Sequence, residues 1–132
     1  MRVLDIEIPS PVLISDEENY SIWFKPPSVL SQGSKWGDHC SVYRWVEIND
    51  KKQRPALIVH RLDRAARGLI LLAHSKKAAK SLSKLFQIRA IEKKYHAIVN
   101  NRFTSDSDTT YIDSPIDDRP ARSQVKSIRY DA

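Results

Sequence analysis

Two short apolar runs with a polar segment between them constrain the fold of this chain more than any other feature. Ala56-Leu57-Ile58-Val59 follows Pro55, and Leu69-Ile70-Leu71-Leu72-Ala73 follows Gly68. Such runs with β-branched members suit buried strands and are too short for helices. The chain is therefore predicted to contain a sheet, with residues 60–68 as a loop between two of its strands.

The rest of the pattern predicts further strands and two helices. Strands are predicted at residues 12–14, 20–24, 91–99, 111–112 and 125–130. One helix is predicted near 39–49 behind Asp38 as N-cap, and a clearer one after Ser75, with an apolar stripe opposite lysines. This order favours one α+β domain over residues 1–132, with a mixed or antiparallel sheet and two helices.

Composition excludes several classes of protein. No apolar window is long enough to span a membrane, and the N-terminus lacks the pattern of a secretion signal. The single cysteine, Cys40, cannot form an internal disulfide, and no Cys/His cluster offers a zinc site. We therefore expect a soluble protein without metal, located in the reducing cytoplasm.

The charge is segregated along the chain. Residues 51–102 contain 14 Lys+Arg against two acids, a net +12, whereas the two flanks together carry a net −6. A basic block attracts phosphates and releases counterions, so a nucleic-acid partner is favoured. The alternative is a solvated basic surface without a partner.

The polar segment between the two apolar runs contains the candidate site. In His60-Arg61-Leu62-Asp63-Arg64, with Arg67 nearby, three arginines lie within four residues of one aspartate. Their charges should keep the carboxylate ionised, as a nucleophile or a base requires. A structural ion-pair cluster around one turn explains the same residues equally well.

Three segments in order resemble the motifs of RluA-type pseudouridine synthases. Residues 60–69 are similar to H-R-L-D-R-x-T-S-G-L, Lys25-Pro26-Pro27 to an early K-P-x-G, and residues 93–99 to a later K-x-Y-x-A-x-V. The resemblance extends from about Val12 to Ala121. It implies the N-terminal part of that family's catalytic domain.

The resemblance implies isomerisation of uridine to pseudouridine in structured RNA, without cofactor or metal. Asp63 would be the catalytic carboxylate, either as nucleophile or as the base of a glycal route. Arg61 would enter the RNA where the target base leaves the stack, and Arg64 and Lys25 would also bind RNA. Tyr95 would pack against the uracil, although a half-buried strand tyrosine is the ordinary alternative.

The sequence departs from the family pattern in three places. Ser28 replaces the early glycine, so the turn must avoid a positive φ or be strained. Ala66-Arg67 replaces the Thr-Ser pair, and no segment resembles the later G-R-x-H-Q-I-R. We expect a C-terminally incomplete domain with an exposed sheet edge that favours self-association. A natural truncation, a fragment, or a remnant completed by a partner would each explain it.

Two functional hypotheses follow, and a third requires coincidence. The first is an RNA pseudouridine synthase acting on a tRNA or rRNA stem-loop without an S4 module, so that recognition rests on the catalytic domain. The second is a non-catalytic RNA-binding remnant of such an enzyme. The third, a basic structural protein unrelated to RNA, needs all three motif matches to be accidental.

Overall fold

The computed structural model describes residues 9–33, 41–100 and 110–128. They belong to two units, Met1–Lys93 and Lys94–Ala132. The predicted α+β class is confirmed, with antiparallel strands and two helices.

The first unit contains a four-stranded antiparallel sheet. Its strands are β1 (Val12–Asp16), β2 (Tyr20–Lys25), β3 (Leu57–Ile58) and β4 (Gly68–Ala73), in the order β1-β2-β4-β3. The pairing of Lys25 with Gly68 brings the end of β2 beside the start of β4. Consequently, the segments that follow β2 and precede β4 emerge at the same end of the sheet.

Two helices accompany this sheet, α1 (Val42–Asn49) and α2 (Lys76–Gln87). Each begins behind a serine N-cap: Ser41 Oγ accepts from the Arg44 N–H, and Ser75 Oγ accepts from the Ala78 N–H. The second cap confirms the sequence prediction. For α1 the predicted start was wrong, because the helix begins at Val42 behind Ser41; Asp38 lies outside the described residues.

The core forms between the sheet and α1. Its buried members are Trp23, Val29, Val42, Val46, Ala56, Ile70 and Leu72. Trp45 meets Trp23 edge to face, with ring centroids 5.7 Å apart. Both tryptophans therefore belong to the core.

A buried polar network lies within the same sheet. His74 Nδ1 is 2.8 Å from the Pro55 carbonyl, which can only accept, so the ring proton belongs on Nδ1. His74 Nε2 then accepts from the Ser21 hydroxyl at 2.9 Å, and Ser21 Oγ accepts from the Trp23 indole N–H at 2.7 Å. Each partner is satisfied, so the network carries no unpaired polar group.

The second unit contains an antiparallel hairpin, β5 (Thr110–Asp113) and β6 (Arg122–Val125). Arg122 pairs with Asp113 across it, Nε to Oδ1 at 2.6 Å. The prediction of a last strand over 125–130 was wrong in position, because β6 ends at Val125; residues 129–130 lie outside the described part of the chain.

One predicted strand is absent from the part of the chain that the structure describes. Residues 91–99 alternate in polarity, yet no strand is found there and residues 92–100 are all exposed. A strand needs a neighbouring strand to take up its backbone hydrogen bonds, and none of the described strands pairs with this segment. Alternation alone was therefore an insufficient basis for the prediction.

Candidate active site

The Asp63 segment is a loop between β3 and β4, as predicted. The side chains of Arg61, Asp63 and Arg64 are all exposed, and the Ala66 N–H donates to the Asp63 carbonyl at 3.1 Å to close a turn. Gly68 ends the loop with φ 137°, a backbone conformation that other residues adopt only with strain. The loop therefore presents polar side chains while its backbone is constrained.

The Ser31 side chain bonds both backbone polar groups of Leu62. Its hydroxyl donates to the Leu62 carbonyl at 2.6 Å and accepts from the Leu62 N–H at 2.9 Å. Ser31 is itself buried, and its carbonyl accepts from the Tyr43 N–H at 3.4 Å. The residue before Asp63 is thereby tied to the start of α1.

The carbonyl of Arg64 provides the second anchor of the loop. It accepts from the Ser28 N–H at 3.0 Å and from Lys25 Nζ at 3.2 Å. In return, Arg64 Nε donates to the Ser28 carbonyl at 3.3 Å. Asp63 thus lies between two residues, Leu62 and Arg64, whose backbones are both bonded to the segment after β2.

Ser28 adopts the strained conformation that the sequence left open. Its φ is 69°, in the left-handed region that glycine occupies without cost. The strain amounts to about 1–2 kcal/mol for a residue with a Cβ. The turn at Ser28, which bonds Arg64, therefore lowers the stability of the folded protein.

Lys25 is buried against the backbone of the Asp63 loop. Its side chain is 0% exposed, and Nζ donates to the carbonyls of Val29 at 2.6 Å, Pro26 at 3.1 Å and Arg64. Burial lowers the pKa of Lys25, and the negative charge of Asp63 opposes that shift. Direct RNA binding by Lys25 does not agree with this burial, because its three donors are occupied by carbonyls.

An open cleft of ≈ 410 Å³ lies next to the Asp63 loop. It is lined by residues 30–33 and 61–64, which include Asp63 and both arginines. Within the described residues, the Asp63 carboxylate forms no ion pair with Arg61, Arg64 or Arg67. The alternative of a structural ion-pair cluster is therefore not supported, and the carboxylate is available to a ligand.

His60 connects the start of the loop to β4 and α2. Its Nε2 accepts from the Leu71 N–H at 3.0 Å, and its ring stacks on Phe86 of α2 with centroids 4.4 Å apart. Burial, with the charge of Lys93 as a smaller cause, lowers the pKa of His60 and favours the neutral ring. His60 is thus a hydrogen-bonded, packed histidine that shapes the loop.

The structure brings four of the five predicted site residues together: Lys25, Arg61, Asp63 and Arg64. Tyr95 belongs to the second unit, where its side chain is 64% exposed. Sequence reasoning missed Ser31, because a lone serine after Val29-Leu30 has no distinctive spacing. Its role depends on a contact with a residue 31 positions away.

The described residues contain no group of three or more His, Cys, Asp or Glu side chains placed to bind a metal. None of the helices in those ranges is long and apolar enough to cross a bilayer. The site is thus defined by one free carboxylate, the arginines beside it and a constrained loop in an α+β protein.

Comparisons with known proteins identify the family. The model of the RNA pseudouridylate synthase family matches residues 19–131, so this chain belongs to that family. The dual-specificity RNA pseudouridine synthase RluA of Vibrio vulnificus is 32% identical over 79% of this chain. The ribosomal large subunit pseudouridine synthase D of Blochmanniella floridana is 33% identical over 67% of it.

The match covers only part of these relatives. The chain spans 40% of the Vibrio protein and 27% of the Blochmanniella protein, and 17% of the tRNA pseudouridine synthase C of Pectobacterium carotovorum. A solved structure, human RNA pseudouridylate synthase domain containing 4, is similar to 60% of this chain, with 23% identity and a TM-score of 0.48; the chain covers 30% of it.

Proposed function

We propose that this chain belongs to an RNA pseudouridine synthase that isomerises uridine in structured RNA, with Asp63 as the catalytic carboxylate. The main support is the unpaired, exposed carboxylate on a loop held at Leu62 and Arg64, inside the segment that the family model matches. The names of relatives specify transfer RNA and the large ribosomal subunit. A stem-loop of tRNA or rRNA is accordingly the proposed substrate.

In the proposed reaction the bond from the ribose C1′ to the uracil N1 breaks, the uracil turns, and a bond from C1′ to C5 forms. The proton on C5 leaves to solvent, and one returns to N1, so atoms balance without a cofactor. Asp63 acts either as a nucleophile on the sugar or as the base that removes a sugar proton. Both roles need an ionised carboxylate within reach of the ribose.

The cations around Asp63 have different proposed roles. Arg61, exposed at the cleft, fills the gap that the target base leaves in the RNA stack, and Arg64 binds the RNA backbone. Tyr95 packs against the uracil ring. Lys25 acts as a positioning residue, since its ammonium bonds the Arg64 carbonyl from below.

Tritium release tests this proposal, because formation of the C1′–C5 bond expels the hydrogen on C5. Transfer RNA and ribosomal RNA transcripts carrying 5-tritiated uridine are incubated, in a chelator-containing buffer, with this chain and, if its reading frame continues further, with the longer product. Release that is lost in Asp63→Asn and kept in Asp117→Asn, an exposed carboxylate in the second unit, is the expected result. No release from either protein, or equal release from both variants, contradicts it.

Three further properties accompany this proposal. One catalytic domain over residues 1–132 is supported by a family match that spans both units. Self-association through the edge strand β1 is supported by the exposure of Val12, Leu13 and Ile14. A cytoplasmic location is proposed as well, because the protein would encounter transfer RNA and ribosomal RNA there.

A further inference from the structure

Helix α2 presents a lysine face to solvent. Lys76, Lys80 and Lys84 follow one another at four-residue spacing, which aligns them along one side of the helix, and Lys77 lies beside them. All four side chains are exposed, and no acidic residue occurs between Lys76 and Ile91. We call these four residues the α2 lysine face.

The α2 lysine face differs from Lys52 and Arg54, two basic residues of the first unit that pair with acidic side chains. Arg54 bonds Asp16 at 2.8 Å and Asp50 at 3.0 Å, and Lys52 lies 2.9 Å from Asp16. The Arg54 guanidinium holds the pKa of Asp50 down at about 2. No lysine of the α2 lysine face forms an ion pair with any residue that the structure describes. Their charges are left uncompensated.

Helix stability accounts for Lys84 alone, because a cation in the last turn suits the macrodipole. Like charges four residues apart repel, and Lys76 and Lys77 lie at the helix N-terminus, where the macrodipole disfavours cations. Each effect costs a few tenths of a kcal/mol on a helix surface. A polyanion bound along the face would relieve both effects at once.

The opposite side of α2 is already in use. Ala78, Ala79, Leu82 and Phe86 are half-buried on that side, and Phe86 stacks on His60, the residue before Arg61. A helix lying on a membrane would have to insert an apolar face, and here that face contacts the protein itself. The same stacking contact places the last turn of α2 beside the Asp63 loop.

We propose that the α2 lysine face binds the phosphate backbone of RNA outside the Asp63 cleft. The inference rests on the proposed function in that RNA is the ligand. From Lys76 to Lys84 the face measures about 12 Å along the helix axis, enough to meet several successive phosphates. Substrates would then need backbone beyond the target uridine, and recognition there would follow phosphate geometry rather than base identity.

RNA binding measured against salt tests the α2 lysine face. Lys80→Gln/Lys84→Gln is compared with Lys51→Gln/Lys126→Gln, which removes the same charge from exposed positions elsewhere. Fluorescence anisotropy with a labelled tRNA transcript is recorded from 50 to 200 mM salt. The α2 pair should lower the slope of log K against log salt by about 1.4–1.8 and weaken binding about tenfold at 50 mM. The control pair should change both much less.

Two results would overturn the proposal: an equal effect of the two pairs, and unchanged RNA binding by the α2 pair. If the α2 pair also loses binding to vesicles of acidic phospholipid while RNA binding is unchanged, the face is assigned to membranes. Glutamine keeps helix propensity, and matching thermal unfolding curves verify the fold; Lys76→Gln/Lys77→Gln repeats the test if they differ. Tritium release by the unmodified protein is scored separately, so failure of the catalytic proposal is distinguishable from failure of this one.

Discussion

The Asp63 segment and the Tyr95 segment both match family motifs, but they differ in what surrounds them. The first is bonded at Leu62 by Ser31 and at Arg64 by Ser28 and Lys25, partners 31 to 39 residues away. Residues 91–99 contain no strand, and Tyr95 is 64% exposed.

The difference shows what a motif can predict. A motif names the residues that carry the chemistry, whereas their position depends on partners that are distant in the sequence. For Asp63 those partners lie in the same unit, and the loop is held on both sides. For Tyr95 the described residues supply no paired strand.

The largest effect is expected from Ser31→Ala. Loss of the hydroxyl leaves both polar groups of the Leu62 peptide without their partner, which should cost about 1–3 kcal/mol of unfolding free energy. Because Asp63 is the next residue, tritium release should fall about tenfold or more. Urea unfolding and the tritium assay measure the two effects.

Two variants control this prediction. Ser31→Thr keeps a hydroxyl and should recover part of both losses. Ser81→Ala, on the exposed surface of α2, should change stability by less than about 0.5 kcal/mol. If Ser31→Ala behaves like Ser81→Ala, the loop is not held by this contact, and the contrast with the Tyr95 segment is lost.

A smaller and opposite effect is expected from Ser28→Gly. The φ of 69° costs nothing for glycine, so the variant should gain about 1 kcal/mol, reduced by the greater freedom of glycine in the unfolded chain. Thermal unfolding measures the gain. Ser28→Ala keeps the Cβ and should show none; equal gains in both variants would mean that the hydroxyl, not the backbone, is responsible.

The neutral state of His60 predicts a dependence on pH. Its pKa is lowered in the folded state, so below the ordinary value of 6.5 the unfolded chain takes up a proton first. Stability should therefore fall as the pH drops through 6.5 and level off below the folded pKa. Urea unfolding of the protein and of His60→Gln between pH 7.5 and 5 isolates this contribution. If the unfolding free energy of both proteins changes with pH to the same extent, the prediction is contradicted.

Sequence reasoning succeeded where one segment contains its own determinants. The Ser75 cap and the lysine and apolar sides of α2 are local. It failed where a distant partner decides: the strand expected at 91–99, the burial of Lys25 and the bonding of Leu62 by Ser31. Such contacts depend on how β2 and β4 align, which no local pattern specifies.

The smallest effect on stability is expected from Tyr95→Ala. An exposed tyrosine outside any described strand buries little surface, so the unfolding free energy should change by less than about 0.5 kcal/mol. Under the proposed role, tritium release should nevertheless fall, and Tyr95→Phe should keep more activity than Tyr95→Ala because it retains the ring. Tyr111→Ala, which alters a similarly exposed tyrosine on β5, is the control. A stability loss as large as that of Ser31→Ala would show that the Tyr95 segment is held as firmly as the Asp63 loop.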